Sequence, residues 1–220
     1  MVNLGGITLI VTGFPRSGTS MMMRILEFAG INILSDSAKT KQKHKYDPHG
    51  MRELENVGIR IKAKKKTWTK NKAVKIVTPY ASWYPVDRPL KVIFMQRDLS
   101  EIVTSLLAMK AVWDEDIAES ISWARGYLQY NEVPVLFVKY REAIDYPKTT
   151  VSRIQDFLGV AFDIDEVVKA IDKDARTRYK KDPTLQGHDA PDEIIRMDPG
   201  GYKDLKVEQY HALDDVDGGK

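Results

Sequence analysis

Apolar positions along the 220-residue chain fall into short runs that alternate with longer stretches of helical spacing. Ile7–Thr12 is β-branched and continuously apolar in character, the pattern of a strand buried on both faces. Thr19–Ala29 then sets Met22, Ile25, Leu26 and Ala29 at helical spacing, and Gly30 is a natural stop. Ala73–Val77 and Leu90–Met95 read as two further buried strands, the second followed by a helix from about Ser100 to Val112. Asp114–Asn131 is predicted as a helix whose acidic first turn suits the positive end of the helix dipole. Pro134–Val138 is a strand, and Pro147–Leu158 a helix with proline at its start and Gly159 past its end. Helical spacing continues over Asp165–Asp174, and beyond Lys181 it gives way to Asp, Pro and Gly punctuation.

Strands alternating with helices predict an α/β fold, a three-layer sandwich around a mostly parallel central sheet. Ligands of such sheets bind beyond the carboxyl ends of the strands. The length suits a single domain over residues 1–220, with a lid-like insertion at about 36–72 and an acidic tail at about 182–220.

Charge sharpens this picture. Thirteen Lys and Arg lie between Lys39 and Lys75 against Asp47, Glu53 and Glu55, a local balance of +10 in a chain whose net charge is +3. A basic insertion suggests an anionic ligand or partner. Nucleic acid is a poor candidate, because no recognised motif accompanies the basic face and the pI of 8.8 is modest. Cysteine is absent, which excludes disulfides and thiol chemistry. No apolar run approaches the ~20 residues of a bilayer span, and Ile7–Val11 runs into a glycine loop instead of a cleavage site. A cytoplasmic protein is expected; the oligomeric state is not legible.

The chemistry concentrates in Gly13-Phe-Pro-Arg-Ser-Gly-Thr-Ser20. Gly13 and Gly18 have the spacing of the Walker A loop, G-x-x-x-x-G-K-[ST], with Thr19 where the lysine would stand. A P-loop NTPase-like arrangement follows from the context, an apolar strand before the loop and an amphipathic helix after it. Glycines let the backbone fold around a phosphate, and successive N–H groups at a helix start form an anion nest. Arg16, Ser17, Thr19 and Ser20 add side-chain donors. The missing lysine argues against ATP hydrolysis or phosphoryl transfer, which use it to reach the β- and γ-phosphates.

Pro15-Arg16-Ser17-Gly18-Thr19-Ser20 resembles the PxSGT[TS] loop of sulfotransferases that use 3′-phosphoadenosine 5′-phosphosulfate (PAPS). The resemblance implies that this loop grips the 5′-phosphosulfate, with Arg16 near the bridging oxygen and Ser17, Gly18, Thr19 and Ser20 on the 5′-phosphate. Gln96-Arg97-Asp98 after a strand, with Ser105 eight residues beyond Arg97, is similar to the family's reader of the 3′-phosphate. Asp47-Pro48-His49-Gly50 with Glu53 is similar to the NPxGxxE segment of bacterial members, and Ile154–Gly159 to a late helix end. Lys75-Ile-Val-Thr-Pro79 puts Val77 where cytosolic members carry a catalytic histidine, and Met21 replaces the aromatic residue after their loop. Bacterial and Golgi-type members are the nearer likeness.

The resemblance implies an enzyme that moves a sulfuryl group from PAPS to a hydroxyl or amine acceptor by in-line displacement, releasing adenosine 3′,5′-bisphosphate (PAP), with no metal required. The acceptor is expected to be a small molecule or a carbohydrate, and the basic segment would suit an anionic one. It needs a base. Glu53 is the first candidate and His49 the second, with Asp47 and His44 also in the basic segment. Trp68, Tyr80, Trp83 and Tyr84 are either core or an aromatic lining for a ligand. Two other readings stand beside this one: a P-loop kinase or NTPase with Asp98 on Mg²⁺, and a non-catalytic domain that binds nucleotide or a polyanion through the Lys39–Lys75 face.

Overall fold

The computed structural model describes residues 1–36, 52, 54, 57, 69–78, 80–108, 111–112, 116–171 and 195–196. The first strand, β1 (Thr8–Thr12), is buried at all five positions and leads through a loop into α1 (Thr19–Phe28). A two-residue strand β2 (Ile33–Leu34) follows, then β3 (Ala73–Lys75), a 3₁₀ turn at Tyr80–Trp83 and β4 (Leu90–Gln96). Next come α2 (Leu99–Ala108), β5 (Ala111–Val112), α3 (Ile117–Tyr130) and β6 (Val135–Lys139). The described chain closes with α4 (Tyr140–Asp145), α5 (Pro147–Leu158), α6 (Ile164–Val167), a 3₁₀ turn at Val168–Ala170 and β7 (Ile195–Arg196).

The main sheet has the order β2-β3-β1-β4-β6, and every neighbouring pair is parallel. Successive residues of a strand point to opposite faces. Leu9 and Val11 accordingly pack with Met22, Ile25 and Leu26 of α1 and with Val151 and Ile154 of α5. Ile10, Val92 and Phe94 pack on the other face with Ala124 and Leu128 of α3. Helices therefore cover both faces, as the apolar character of β1 on both faces requires. The chain leaves β1 toward β2 and β3 on one side and later adds β4 and β6 on the other. That reversal opens a crevice at the carboxyl end of β1, where this class of sheet binds ligands.

Several boundaries differ from the sequence reading. The helix expected to reach Val112 ends at Ala108, because Ala111–Val112 pairs in parallel with Ile195–Arg196. That long-range pairing also puts a short strand in the tail, where local pattern is weak. The acidic start expected at Asp114 lies outside the described residues, and α3 begins at Ile117 with the Asp116 carboxylate accepting from the Glu119 N–H at 2.8 Å. Most of the proposed insertion and tail also lies outside the described residues. Within the insertion, Arg52 pairs with Glu27 of α1 at 2.7 Å, and Leu54 and Val57 are buried in the core.

Helix α5 ends as its sequence predicts. Gly159 takes φ +71, and Lys91 donates from Nζ to the Phe157 carbonyl at 2.6 Å, placing a cation at the negative helix end. A Cβ on Gly159 would meet nothing within 4 Å, so Gly159→Ala adds only left-handed strain. We expect that substitution to cost about 1 kcal/mol, read as a lower urea midpoint with an unchanged slope.

Candidate functional site

The loop between β1 and α1 has no room for a side chain at either glycine. A Cβ on Gly13, whose φ is +140, would stand 2.5 Å from the Met95 carbonyl oxygen. A Cβ on Gly18, at φ +102, would stand 2.6 Å from Cδ2 of Tyr140. Strand β4 and the start of α4 thus press the loop from two sides. Inside it, the Ser17 N–H donates to the Phe14 carbonyl at 2.9 Å and the Thr78 N–H to the Gly13 carbonyl at 3.1 Å. Gly18 caps α1 without a side-chain hydrogen bond. The first-turn N–H groups of a helix have no intrahelical acceptor, so here they present a ready anion site. Ser17 Oγ and Thr12 Oγ1 are buried without a hydrogen-bond partner.

Cations converge on this turn. Arg16 holds φ +74, a conformation that costs a non-glycine residue roughly 1–2 kcal/mol. Two contacts hold it there. Arg97 donates from Nη1 to the Arg16 carbonyl at 2.8 Å, and Arg16 donates from Nε to Ser105 Oγ at 3.0 Å. Ser105 lies on α2 and is fully buried. Arg97 also donates from Nε to Glu101 at 3.0 Å and stacks over the Tyr140 ring, 4.3 Å from its centroid. Arg16, Ser17, Gly18, Thr19, Ser20, Arg97 and Ser105, seven residues singled out in the sequence, therefore form one continuous cluster. A guanidinium has five N–H donors, so Arg97 can brace the loop and still meet an anion.

Lys75 joins them, a residue the sequence reading did not place in the site. It is 4% exposed at the end of β3 and donates from Nζ to Ser20 Oγ at 3.1 Å. Its signal was a lysine inside an otherwise apolar run, Ala73-Val-Lys-Ile-Val77. It brings from the adjacent strand the positive charge that Thr19 does not supply. Tyr140 is the other unforeseen member, packed under both Gly18 and Arg97. Tyr80 and Tyr84 are buried in the core beside Val74 and Val92, which resolves them as core residues, while Trp68 lies outside the described residues. Glu53, His49, Asp47 and His44 also lie outside them. Among the described residues, no group of three or more His, Asp or Glu could hold a metal ion, and no helix is long and apolar enough to cross a membrane.

The outer edge of the cluster is an ion network. Arg141 meets Asp98 at 2.9 Å and Glu101 at 2.7 Å. Asp98, the acid that a kinase reading would assign to Mg²⁺, is thus engaged by an arginine. Burial tends to raise the Glu101 carboxyl, but hydrogen bonds and charge from Arg97 and Arg141 outweigh it and hold the group below its usual value. A carboxyl depressed in the folded state adds stability above its unfolded-state pKa and loses it as pH falls through the folded-state value. Glu101→Gln should therefore lower the urea midpoint at neutral pH. Its deficit against the wild type should shrink as pH falls below about 4, measured by urea titration across that range.

The sulfotransferase domain family matches residues 7–209, and the chain belongs to that family. No curated protein matches the sequence. Among solved structures, mouse sulfotransferase SULT7A1 complexed with PAP is similar at 17% identity and a TM-score of 0.50, over 94% of this chain and 80% of that one. Its likeness agrees with the α/β fold described above. The sulfotransferase domain of the Synechococcus PCC 7002 olefin synthase matches at 17% identity and a TM-score of 0.45, covering 84% of this chain and 83% of that one. Sulfotransferase STF1 from Mycobacterium tuberculosis matches at 11% identity and 0.47, over 80% and 76%.

Proposed function

We propose that this sulfotransferase-family chain takes its sulfuryl group from PAPS and passes it to a hydroxyl or amine acceptor, with the Gly13–Ser20 loop as the phosphate cradle. One observation carries the reading: Arg16, Arg97 and Lys75 come from three separate segments and meet on a glycine loop that opens onto a helix N-terminus. The residues suit a bisphosphorylated nucleotide. The first-turn N–H groups of α1, with Thr19 and Ser20, would hold the 5′-phosphate. Arg97 and Ser105 would take the 3′-phosphate. PAPS supplies an activated sulfuryl group when bound.

Each residue then has a distinct task. Arg16 and Lys75 place positive charge beside the cradle, where negative charge builds on the leaving phosphate. The two tight glycines keep the backbone donors fixed before any ligand arrives, so little reorganisation accompanies the reaction. Tyr140 and Glu101 hold the Arg97 guanidinium in place from one side and from its edge. A base must accept the acceptor's proton, and Glu53 is our candidate, followed by His49. Glu53 is supported by its likeness to the NPxGxxE glutamate and by the basic segment around it, where lysines favour an ionised carboxylate. The acceptor is a small molecule or a carbohydrate in this reading.

Arg16→Ala should lower turnover by about 10²–10³ with little change in PAP affinity, the usual cost of one preorganised charge or donor at a reacting centre. Arg97→Ala should weaken PAP at least about tenfold more than it weakens ADP, because only PAP carries a 3′-phosphate. Calorimetric titration of both nucleotides into both proteins tests this. Equal losses for PAP and ADP would remove the 3′-phosphate assignment.

A further inference from the structure

The Arg97 side chain is 7% exposed, and only part of its guanidinium is in use. Nη1 donates to the Arg16 carbonyl and Nε to Glu101 Oε2. Among the described residues, no hydrogen bond engages Nη2. A neighbouring glutamate would ordinarily claim it. The N–H groups of Nε and Nη2 point the same way along one edge of the fork, and a carboxylate readily takes both, one on each oxygen. Glu101 has the reach to do so. It lies four residues beyond Arg97 in the first turn of α2, and its Oε2 already sits 3.0 Å from Nε.

The second oxygen of Glu101 is held elsewhere. Arg141, in the first turn of α4, donates to Oε1 from Nε at 3.0 Å and from Nη2 at 2.7 Å. The same Nη2 meets Asp98 Oδ2 at 2.9 Å. Glu101 is thus stretched between two arginines, one oxygen to each. The Arg141 side chain is half exposed, and an ion pair that open to water adds little to stability. What the contact accomplishes is local. It keeps Glu101 off Nη2 of Arg97, and it neutralises two carboxylates that would otherwise repel a phosphate dianion.

We propose that Arg141 is a positioning residue for 3′-phosphate recognition: by holding Glu101 Oε1 it leaves Arg97 Nη2 open to the nucleotide. The inference rests on the donor reading of the cradle, which gives the 3′-phosphate to Arg97. Arg141 acts through Glu101 and does not itself touch the ligand. Without Arg141, Glu101 closes on Arg97 as a fork and competes with the phosphate for the same N–H groups. The carboxylate that braces Arg97 then blocks it, and Asp98 stands uncompensated beside it. The 5′-phosphate sits on the loop and the start of α1, so only a nucleotide with a 3′-phosphate senses the change.

Calorimetric titration of PAP and ADP into the full chain tests this. Arg141→Gln should weaken PAP about tenfold and ADP less than about twofold. In a Glu101→Gln background the same substitution should cost PAP less than about threefold, because the competing carboxylate is gone. A merely structural role would weaken both nucleotides alike and would not depend on Glu101. Unchanged PAP affinity in Arg141→Gln, equal losses for PAP and ADP, or a loss of about tenfold that persists in the Glu101→Gln background would overturn the proposal. The last of these would mean that Arg141 reaches the phosphate itself. A wild-type chain that binds PAP no more tightly than ADP would overturn the donor reading of Arg97, and this proposal with it.

Discussion

Arg97 reaches across from the end of β4 to the carbonyl of Arg16, a bond of 2.8 Å that joins residues 81 positions apart. Arg16 stands in a left-handed conformation that an arginine does not choose, and this bond, with the one from Arg16 to Ser105, keeps it there. Strain of this kind persists only where surrounding structure over-determines it, and it clusters at functional sites. Tyr140 supports the arrangement from beneath: its ring lies under the Arg97 guanidinium and so close to Gly18 that a methyl group there would collide with it. The loop, β4, α2 and the start of α4 therefore hold their shapes jointly. A phosphate cradle needs that rigidity, because its donors must point inward before the ligand arrives.

The charges follow from the same constraint. Three cations near one turn would repel each other without anions to balance them. Glu101 lies beside Arg97, and Arg141 closes the network on Glu101 and Asp98. Lys75 is 4% exposed at the carboxyl end of a strand and rests on Ser20. A buried ammonium is costly unless it is hydrogen-bonded or an anion is close by. Such a cluster suits a ligand that brings more than one negative charge, as the nucleotide proposed above, with phosphates on two positions, does.

The parts of this site legible in the sequence were those with local signatures. Glycine spacing between an apolar strand and an amphipathic helix marked the cradle, and Gly159 marked a helix end. The sheet was legible as alternation, because β1 and β4 are buried on both faces and read as unbroken apolar runs. Partners set by distant contacts were not legible. The bond from Arg16 to Ser105 spans 89 positions, and Lys75 gave only the weak signal of a polar residue inside a strand. The early stop of α2 has the same origin, since Ala111–Val112 is drawn into pairing with Ile195–Arg196. Glu53 and His49 lie outside the described residues, so the choice of base still rests on the sequence.

A cradle that reads a 3′-phosphate should tell PAP from ATP. The shift in melting temperature of the wild-type chain with PAP, set against ATP with Mg²⁺, measures that difference. A ligand that binds only the folded state stabilises it by RT ln(1 + [L]/Kd), about 2.7 kcal/mol at a hundredfold excess over Kd. A clear rise with PAP and little with ATP and Mg²⁺ is expected; a rise with ATP and Mg²⁺ alone would rule out a cradle for the 3′-phosphorylated nucleotide.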